Sequence, residues 1–241
     1  MILPSISKVH LMFEQFPLRH PLNSKLRRFY DSIYRGYSVN QHPKGPLIEN
    51  WLERALLTLQ ASTLHYRETF AFRIDLHFPD GMPRLPMHDD NLVLSSFFRF
   101  LRYELQIANT KYPTQLRYIW AREQANSDKP HYHLMLLLNK DAFDSIGRFA
   151  PDQNGKYLRQ NLYHRMMRSW LKAMGFDADD PRFHQLVNVS INSITKEPWS
   201  RILHRDDWCA MDEAMYMASY LCKEYSKPIG QNVHVFDSSR G

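Results

Sequence analysis

One unbroken apolar run, Leu134–Leu138, limits what this chain can fold into more than any other feature. Such a run is short for a helix and is typical of a strand buried near the centre of a sheet. The tripeptide His131-Tyr132-His133 directly precedes it. Because alternate side chains of a strand point to the same face, both imidazoles would lie on one side of the sheet. The sequence therefore predicts a central strand that presents a histidine pair, an arrangement suited to binding a metal ion.

The composition limits the classes of protein to which the chain can belong. It has 241 residues, 44% of them hydrophobic, enough for one large domain or a domain with an extension. The net charge of +6 fits an anionic partner without requiring one. Two cysteines form neither a disulfide framework nor a CxxC metal site, and eight glycines leave no glycine-rich phosphate loop. With no apolar stretch long enough for a membrane span and no signal peptide pattern, we expect a cytoplasmic protein that does not enter the membrane.

Residues 66–241 show the pattern of a mixed α+β domain. Apolar alternation and apolar runs predict four strands, at residues 70–78, 116–123, 131–138 and 186–191. Helical spacing predicts three helices, after Asp89-Asp90, over Asn154–Met174 and after Asp206-Asp207. The first six elements follow the order of the split βαβ, ferredoxin-like arrangement. We therefore expect an antiparallel sheet with helices on one face and with the other face free for a site.

Residues 1–65 are predicted to form an N-terminal helical extension, with helices over Ser24–Tyr37 and Pro46–Leu64. The first of these helices is rich in basic and aromatic residues and includes Arg27 and Arg28. Cations bind phosphates while aromatic rings stack on bases, so both arginines are candidate DNA-binding residues. An ordinary surface helix with its aromatic residues packed inward explains the same pattern.

The strand that precedes the histidine pair ends in Glu123, and a hairpin between the two strands would place Glu123 opposite His131 and His133. Two imidazoles and one carboxylate leave coordination positions open for a phosphate oxygen and water. This mixed donor set suits Mg²⁺ or Mn²⁺ on a phosphate substrate, with Zn²⁺ as an alternative. Asp75 and His77 on the first strand are further candidates. Structural histidines and polar residues on a sheet surface explain the same residues without a metal.

A pair of tyrosines, Tyr216 and Tyr220, lies four residues apart on the last predicted helix, and therefore on one face of it. Lys223 and Lys227 continue that face, and Lys227 is also a candidate DNA-binding residue. A phenol is a weak nucleophile unless nearby positive charge stabilises its phenolate form, which an ammonium group and a metal ion would do. The alternative is an amphipathic helix with tyrosines at its rim.

Two motifs of the chain resemble those of a known group of enzymes. His131-Tyr132-His133 on a hydrophobic strand resembles the HUH motif, and Tyr216–Lys223 resembles the tyrosine motif of HUH rolling-circle replication initiators. Three further runs are similar to the replication proteins of filamentous phages (inoviruses, gene-two type) and related bacterial prophages: Leu116–Glu123, Lys129–Asn139 and Val235–Arg240. The resemblance covers about residues 66–241.

This resemblance implies a ferredoxin-like HUH endonuclease and strand transferase that acts on single-stranded DNA, at an origin hairpin or nick site. In such enzymes a tyrosine attacks the scissile phosphodiester, stays attached to the 5′ phosphate and frees a 3′ hydroxyl that primes rolling-circle replication. His131, His133 and Glu123 would be the ligands of Mg²⁺ or Mn²⁺. The resemblance also implies a bacterial host cell, with host helicase and polymerase as partners.

The same resemblance assigns roles to the tyrosine motif. Tyr220, which is followed by two residues and a lysine, would be the nucleophile, and Lys223 would stabilise charge near it. Tyr216 is the candidate second nucleophile. Ser219 stands where the two-tyrosine pattern has its first lysine, and this departure counts against a two-tyrosine mechanism.

Two other functions remain open at the level of sequence. A ferredoxin-like sheet can bind single-stranded nucleic acid without cutting it, as a regulator, with Tyr118, Trp120 and Tyr132 stacking on bases. The chain lacks the aromatic and glycine motif of such RNA-binding sheets. HUH chemistry would also serve a transposase or a plasmid-mobilising relaxase.

Overall fold

The computed structural model describes residues 17–41, 43–124, 127–180, 182–192 and 195–239. Within these ranges the strands are β1 (Arg19–His20), β2 (Asn23–Phe29), β3 (Ile33–Tyr34), β4 (Tyr37–Ser38), β5 (Leu47–Ile48), β6 (Thr69–Leu76), β7 (Arg117–Glu123), β8 (His131–Asn139), β9 (Val187–Val189), β10 (Ser200–Leu203) and β11 (Phe236–Ser238). The helices are α1 (Glu49–His65), α2 (Leu92–Gln106), α3 (Leu162–Ala173) and α4 (Trp208–Ser219), with 3₁₀ turns at Pro86–His88 and Tyr220–Cys222.

A six-stranded sheet with the order β10-β6-β8-β7-β11 forms the centre of the molecule, and β9 pairs with the end of β6 beyond β10. All neighbouring strands are antiparallel, so the predicted α+β class with an antiparallel sheet is confirmed. The apolar strand β8 is central, between β6 and β7, as its sequence indicated. The sequence patterns did not predict β10 and β11, because strands this short carry too little periodicity.

Helices cover both faces of this sheet, so the prediction that they lie on one face and leave the other free is wrong. On one face α2 and α3 pack against buried residues such as Phe72 and Leu134. On the other, α1 and α4 pack against Met135 and Leu137. The physical reason is that Leu134–Leu138 of β8 place apolar side chains on both faces of the sheet, and nearly every residue of β6 is buried, so both faces need a cover.

The described part of the N-terminal region before α1 forms strands and not the predicted first helix. The helix predicted over Ser24–Tyr37 is wrong: β2 pairs with β1 and β5, and β3 and β4 form a hairpin. At its turn Arg35 and Gly36 have positive φ angles of 50° and 90°, the conformation of a tight hairpin turn and not of a helix. The second predicted helix is confirmed as α1, which packs into the core beneath the sheet. Residues 1–16 of the predicted extension lie outside the described residues.

Local signals set the ends of the last two helices. The carboxylate of Asp207 accepts a hydrogen bond of 3.0 Å from the backbone N–H of Ala210, so it caps α4 as predicted. The α3 helix starts later than predicted, where Asn161 caps it, and Gly175 follows its end with a φ of 83°. After Ser219 the helix tightens into a 3₁₀ turn, which places Tyr220 outside the α-helical register.

Candidate functional site

The three side chains predicted as metal ligands lie together at one end of the sheet. The pairing of β7 with β8 places Glu123 directly opposite His131 and places Ala121 opposite His133. One ligand atom from each of Glu123, His131 and His133 lies within 4.8 Å of the other two. The Oε2 atom of Glu123 is 3.8 Å from Nε2 of His131 and 3.4 Å from Nε2 of His133. This cluster, called here the His/Glu cluster, faces the side of the sheet that carries α1 and α4.

The imidazole of His133 is oriented by a carboxylate on the neighbouring strand. Pairing of β6 with β8 places Asp75 opposite His133, and the His133 Nδ1 atom lies 2.6 Å from Oδ1 of Asp75. Carboxylates commonly hold metal-binding histidines in this way, because a protonated Nδ1 leaves Nε2 free for the metal. Within the described residues the buried Nε2 atom of His133 has no hydrogen-bond partner. An orphaned nitrogen that lies beside a second imidazole and a carboxylate fits a divalent cation.

The carboxylate of Glu123 is fixed by three side chains from the segment after α4. Ser226 donates a hydrogen bond of 2.6 Å to Oε2, while the ammonium groups of Lys223 and Lys227 lie 3.2 and 3.3 Å from Oε1. Burial raises the pKa of Glu123, but its contacts with His133 and Lys227 outweigh burial and hold the pKa well below the usual range. Glu123 is therefore ionised at neutral pH, as a metal ligand has to be.

The two histidines have pKa values shifted in opposite directions. Burial, reinforced by the charge of His133, lowers the pKa of His131 to about 4. Burial also disfavours the charged form of His133, but its contacts with Asp75 and Glu123 outweigh burial and raise the pKa of His133. His131 is therefore neutral and ready to bind a metal at neutral pH, whereas the two carboxylates favour the protonated form of His133. A cation held by the cluster would compete with a proton for Nε2 of His133.

Of the two candidate tyrosines, Tyr220 contacts the cluster. The Tyr220 and His133 rings meet edge to face, with their centroids 5.5 Å apart, and the Lys223 ammonium lies 3.8 Å from the centroid of the Tyr220 ring. The hydroxyl of Tyr220 forms no hydrogen bond with any part of the chain that the structure describes. Tyr216, by contrast, is 41% exposed, and its backbone carbonyl accepts a hydrogen bond from Ser219.

The predicted DNA-binding residues are engaged in ion pairs. Lys227, predicted to bind DNA, is buried, and its ammonium group pairs with Glu123 at 3.3 Å. Arg28 is largely buried and forms two hydrogen bonds of 2.6 and 2.5 Å with Glu224. Arg27 is exposed and pairs with Glu49 at 2.6 Å, which leaves it as the accessible member of the three.

Sequence patterns gave no role to Arg73, which the structure places at the site. Its guanidinium carbon lies 4.6 Å from the centroid of the Tyr220 ring. Arg73 and Asp75 lie on the same face of β6, and His77 follows directly after the strand. The His77 ring stacks on that of His131 with centroids 5.6 Å apart. The sequence could have identified Arg73 as a site residue, because the three polar residues occupy alternate positions along a segment whose other side chains are apolar or small.

The aromatic residues proposed to stack on bases do not form an open surface. Trp120 and Tyr132 are buried in the core beneath α2 and α3. Tyr118 stacks on Phe98 of α2, with ring centroids 4.0 Å apart. The sheet surface that a non-catalytic binder of this kind would use is therefore covered by helices.

Residues 29–239 match the family model of the YagK/YfjJ C-terminal domain. The chain belongs to this family. The match includes every residue of the His/Glu cluster and both candidate tyrosines, and it extends through most of the N-terminal region that carries β2 to β5 and α1.

Two proteins of Escherichia coli (strain K12) are relatives of the chain. "Uncharacterized protein YagK" is 30% identical over 135 residues, which cover 49% of this chain and 60% of YagK, less than two thirds of that relative. "Uncharacterized protein YfjJ" is 27% identical over 213 residues, which cover 82% of this chain and 97% of YfjJ. No solved structure matches the chain. Among the described helices, none combines the length and the apolar character needed to cross a membrane.

Proposed function

We propose that this protein is an HUH-type endonuclease and strand transferase that nicks single-stranded DNA through Tyr220 and so initiates rolling-circle replication. The observation that carries the proposal is the contact of the Tyr220 ring with His133, inside a cluster that also holds His131 and Glu123. The replication role in particular rests on the resemblance to inovirus and prophage replication proteins.

The connectivity of the sheet also supports an HUH-type domain. The elements β6, α2, β7, β8, α3 and β9 follow one another along the chain, and their strands have the spatial order β9-β6-β8-β7. This is the connectivity of the split βαβ, ferredoxin-like fold, with β10 and β11 added at its edges. The histidine pair then lies on a central strand, where the backbone is held on both sides.

The residues of the His/Glu cluster are suited to hold one divalent cation, and Mg²⁺ and Mn²⁺ are our candidates. Glu123, His131 and His133 would supply the ligands, with Asp75 orienting His133 from behind. When bound, such a cation polarises a phosphodiester oxygen and stabilises the charge that develops on it. Burial and charge contacts keep Glu123 ionised and His131 neutral, as metal ligands have to be.

In the proposed reaction the Tyr220 oxygen forms a bond to the phosphorus of the scissile phosphodiester, and the bond from phosphorus to the 3′ oxygen breaks. The phenolic proton passes to solvent water, and the leaving 3′ oxygen takes a proton from solvent water to become a hydroxyl. The 5′ phosphate stays on Tyr220 until a later 3′ hydroxyl attacks it and rejoins the strand. Lys223, whose ammonium lies over the ring, stabilises the negative charge of the attacking phenolate.

The decisive experiment is incubation of the protein with labelled single-stranded DNA and Mn²⁺, using candidate origin sequences and a random library. We expect a protein–DNA adduct that survives denaturant and that disappears in Tyr220→Phe. Tyr216→Phe is the matched control, because it removes the neighbouring hydroxyl of the same helix and should still form the adduct. Chelation of the metal, or a His133→Ala substitution, should also abolish the adduct.

Each alternative corresponds to a different result of this experiment. If the adduct persists in Tyr220→Phe and disappears in Tyr216→Phe, the nucleophile is Tyr216. If the protein binds single-stranded DNA tightly but forms no adduct with any sequence, it is a binding module and the enzymatic proposal is wrong. Cleavage of transposon ends or plasmid transfer origins in place of replication origins would reassign the biological role to a transposase or relaxase.

A further inference from the structure

Arg73 is a buried cation that forms no ion pair or side-chain hydrogen bond with the described residues, and its contact there is with the ring of Tyr220. Its side chain lies on β6 with 6% of the residue exposed. Across the described residues it forms no ion pair and no hydrogen bond from its side chain, and its Nε atom is fully buried. A buried charge without a partner carries a large desolvation cost, so proteins seldom keep one unless it binds something. We therefore expect an anion from outside the chain to bind next to the Arg73 side chain.

A second buried arginine, Arg122, differs from Arg73 in the hydrogen bonds of its terminal guanidinium nitrogens, although within the described residues its Nε atom is also buried without a partner. Arg122, on the neighbouring strand β7, donates hydrogen bonds to the carbonyl oxygens of His88 and Asp90 and to the hydroxyl of Tyr132. It ties a loop to the sheet and has an evident structural role. Arg73 forms no such contacts, which separates it from an arginine that serves only to hold the fold together.

The nearby carboxylates of Asp75 and Glu123 attract Arg73 but are held in direct contact by other groups. Asp75 is hydrogen-bonded to His133, and Glu123 is held by Ser226 and by the ammonium group of Lys227. Neither approaches Arg73 closely enough to form an ion pair. Within the described residues, Arg73 therefore has no counter-charge in direct contact.

The position of Arg73 indicates which anion it would bind. Its guanidinium and the Lys223 ammonium both lie over the Tyr220 ring, at 4.6 and 3.8 Å from the centroid. The same ring contacts His133 of the His/Glu cluster. An anion held by Arg73 would therefore lie next to the phenol and next to the cluster. Guanidinium groups bind phosphate oxygens particularly well, because the planar fork matches them geometrically.

We propose that Arg73 forms a phosphate subsite, in which its guanidinium donates hydrogen bonds to a non-bridging oxygen of the phosphodiester that Tyr220 attacks. The role in catalysis rests on the proposed function, whereas phosphate binding itself does not. Fixed donors aimed at a phosphate both position it and stabilise the charge that develops on it as the phenol attacks. Arg73 is then a catalytic residue that the sequence pattern alone does not reveal.

The first test measures phosphate binding without DNA or metal. Chelator-treated protein is heated in sodium phosphate and in sodium chloride at equal ionic strength. We expect phosphate to raise the Tm of the wild type and of Arg99→Gln, which removes an exposed arginine of α2 on the opposite face of the sheet. Arg73→Gln should show no phosphate response. Without phosphate its Tm should equal or exceed that of the wild type, because the substitution removes an unpaired buried charge.

The second test measures adduct formation and Mn²⁺ affinity in the same variants. Arg73→Gln should slow the adduct by about 100-fold or more, Arg73→Lys should slow it less, and Mn²⁺ affinity should stay within about 3-fold of the wild type. A variant with a lowered Tm and an unchanged phosphate response would overturn the proposal in favour of a structural role. So would an adduct that forms at the wild-type rate in Arg73→Gln.

The two tests separate this subsite from the proposed function. If no DNA ever forms an adduct but the phosphate response depends on Arg73, the subsite stands and the nicking function fails. If the adduct depends on Tyr220 but neither the adduct rate nor the phosphate response depends on Arg73, the nicking function stands and the subsite fails.

Discussion

The Nδ1 atom of His133 lies 2.6 Å from Oδ1 of Asp75, on the strand paired beside it. This contact directs the other ring nitrogen, Nε2, toward Glu123, which is 3.4 Å away. It also has a thermodynamic effect: burial raises the pKa of Asp75, but the hydrogen bond to His133 outweighs burial and lowers it. Asp75 therefore stays ionised and holds the imidazole in the orientation that a metal ligand needs.

Replacing Asp75 by Asn should weaken metal binding without removing a ligand. Loss of the carboxylate frees the tautomer and the orientation of His133, and such changes typically cost about 10- to 100-fold in metal affinity. Calorimetric titration with Mn²⁺ would measure the change in metal affinity. Asp141→Asn, an exposed carboxylate just past the other end of β8, is the matched control and should bind Mn²⁺ as the wild type does. Equal affinity in both variants would mean that Asp75 does not orient the ligand.

Removing the charge of Glu123 should destabilise even the metal-free protein. Glu123→Gln leaves the buried ammonium groups of Lys223 and Lys227 without their carboxylate, and unpaired buried charges of this kind cost about 3–5 kcal/mol. Urea unfolding of chelator-treated protein would measure the change. Glu68→Gln, which breaks a surface pair with Lys140, should cost less than about 1 kcal/mol. A small effect at Glu123 would show that the lysines find other partners or lose their protons.

Acid should destabilise the metal-free protein in part through His131. Burial lowers the pKa of His131 in the folded protein from 6.5 to about 4, so the unfolded chain takes up the proton at a higher pH. The free energy of unfolding therefore loses this contribution as the pH falls from about 6.5 to about 4, and is insensitive to this residue above that range. Urea unfolding at a series of pH values should show a shallower decline for His131→Gln.

The control for this pH series is His65→Gln, an exposed histidine in the last turn of α1. It should keep the full decline of the wild type. If His131→Gln also keeps it, then His131 takes up its proton equally well in the folded and unfolded chain, and the expected effect of burial is absent.

Arg28 should contribute to stability and not to DNA binding. Its paired hydrogen bonds to Glu224 join β2 to the segment that follows Lys223, so Arg28→Met should lower the free energy of unfolding by about 1–3 kcal/mol. The salt dependence of single-stranded DNA binding should not change, because a lost phosphate contact would reduce its slope by about 0.7. Arg27→Met is the comparison at an exposed position. A reduced slope in Arg28→Met would restore Arg28 as a DNA contact.

Sequence reasoning succeeded where a single strand or hairpin determines the geometry. The apolar run after His133 placed β8 at the centre of the sheet. The hairpin between β7 and β8 placed Glu123 opposite His131. Both results follow from the period of two along a strand and from the short connection between neighbouring strands. They required no knowledge of how distant segments pack.

Sequence reasoning failed where distant segments decide the environment of a side chain. It predicted that Lys227 contacts DNA. In the structure the loop after α4 folds back onto Glu123 and buries the side chain of Lys227. It expected a helix over Ser24–Tyr37, whereas strand pairing with β1 and β5 overrides helix propensity there. It placed Tyr216 and Tyr220 on one face of a continuous helix, whereas the α-helix ends at Ser219 and Tyr220 belongs to the 3₁₀ turn that follows.

By itself, then, the sequence determined the donor set of the site, because His131, His133 and Glu123 belong to two strands joined by one hairpin. Only the tertiary structure decided what surrounds those donors. Asp75 is 58 residues away from His133 along the chain. Arg73 lies two residues before Asp75, on the same strand. The pairing of β6 with β8 brings both to the cluster. Local periodicity cannot encode such a pairing, because it depends on how the whole chain buries its apolar faces.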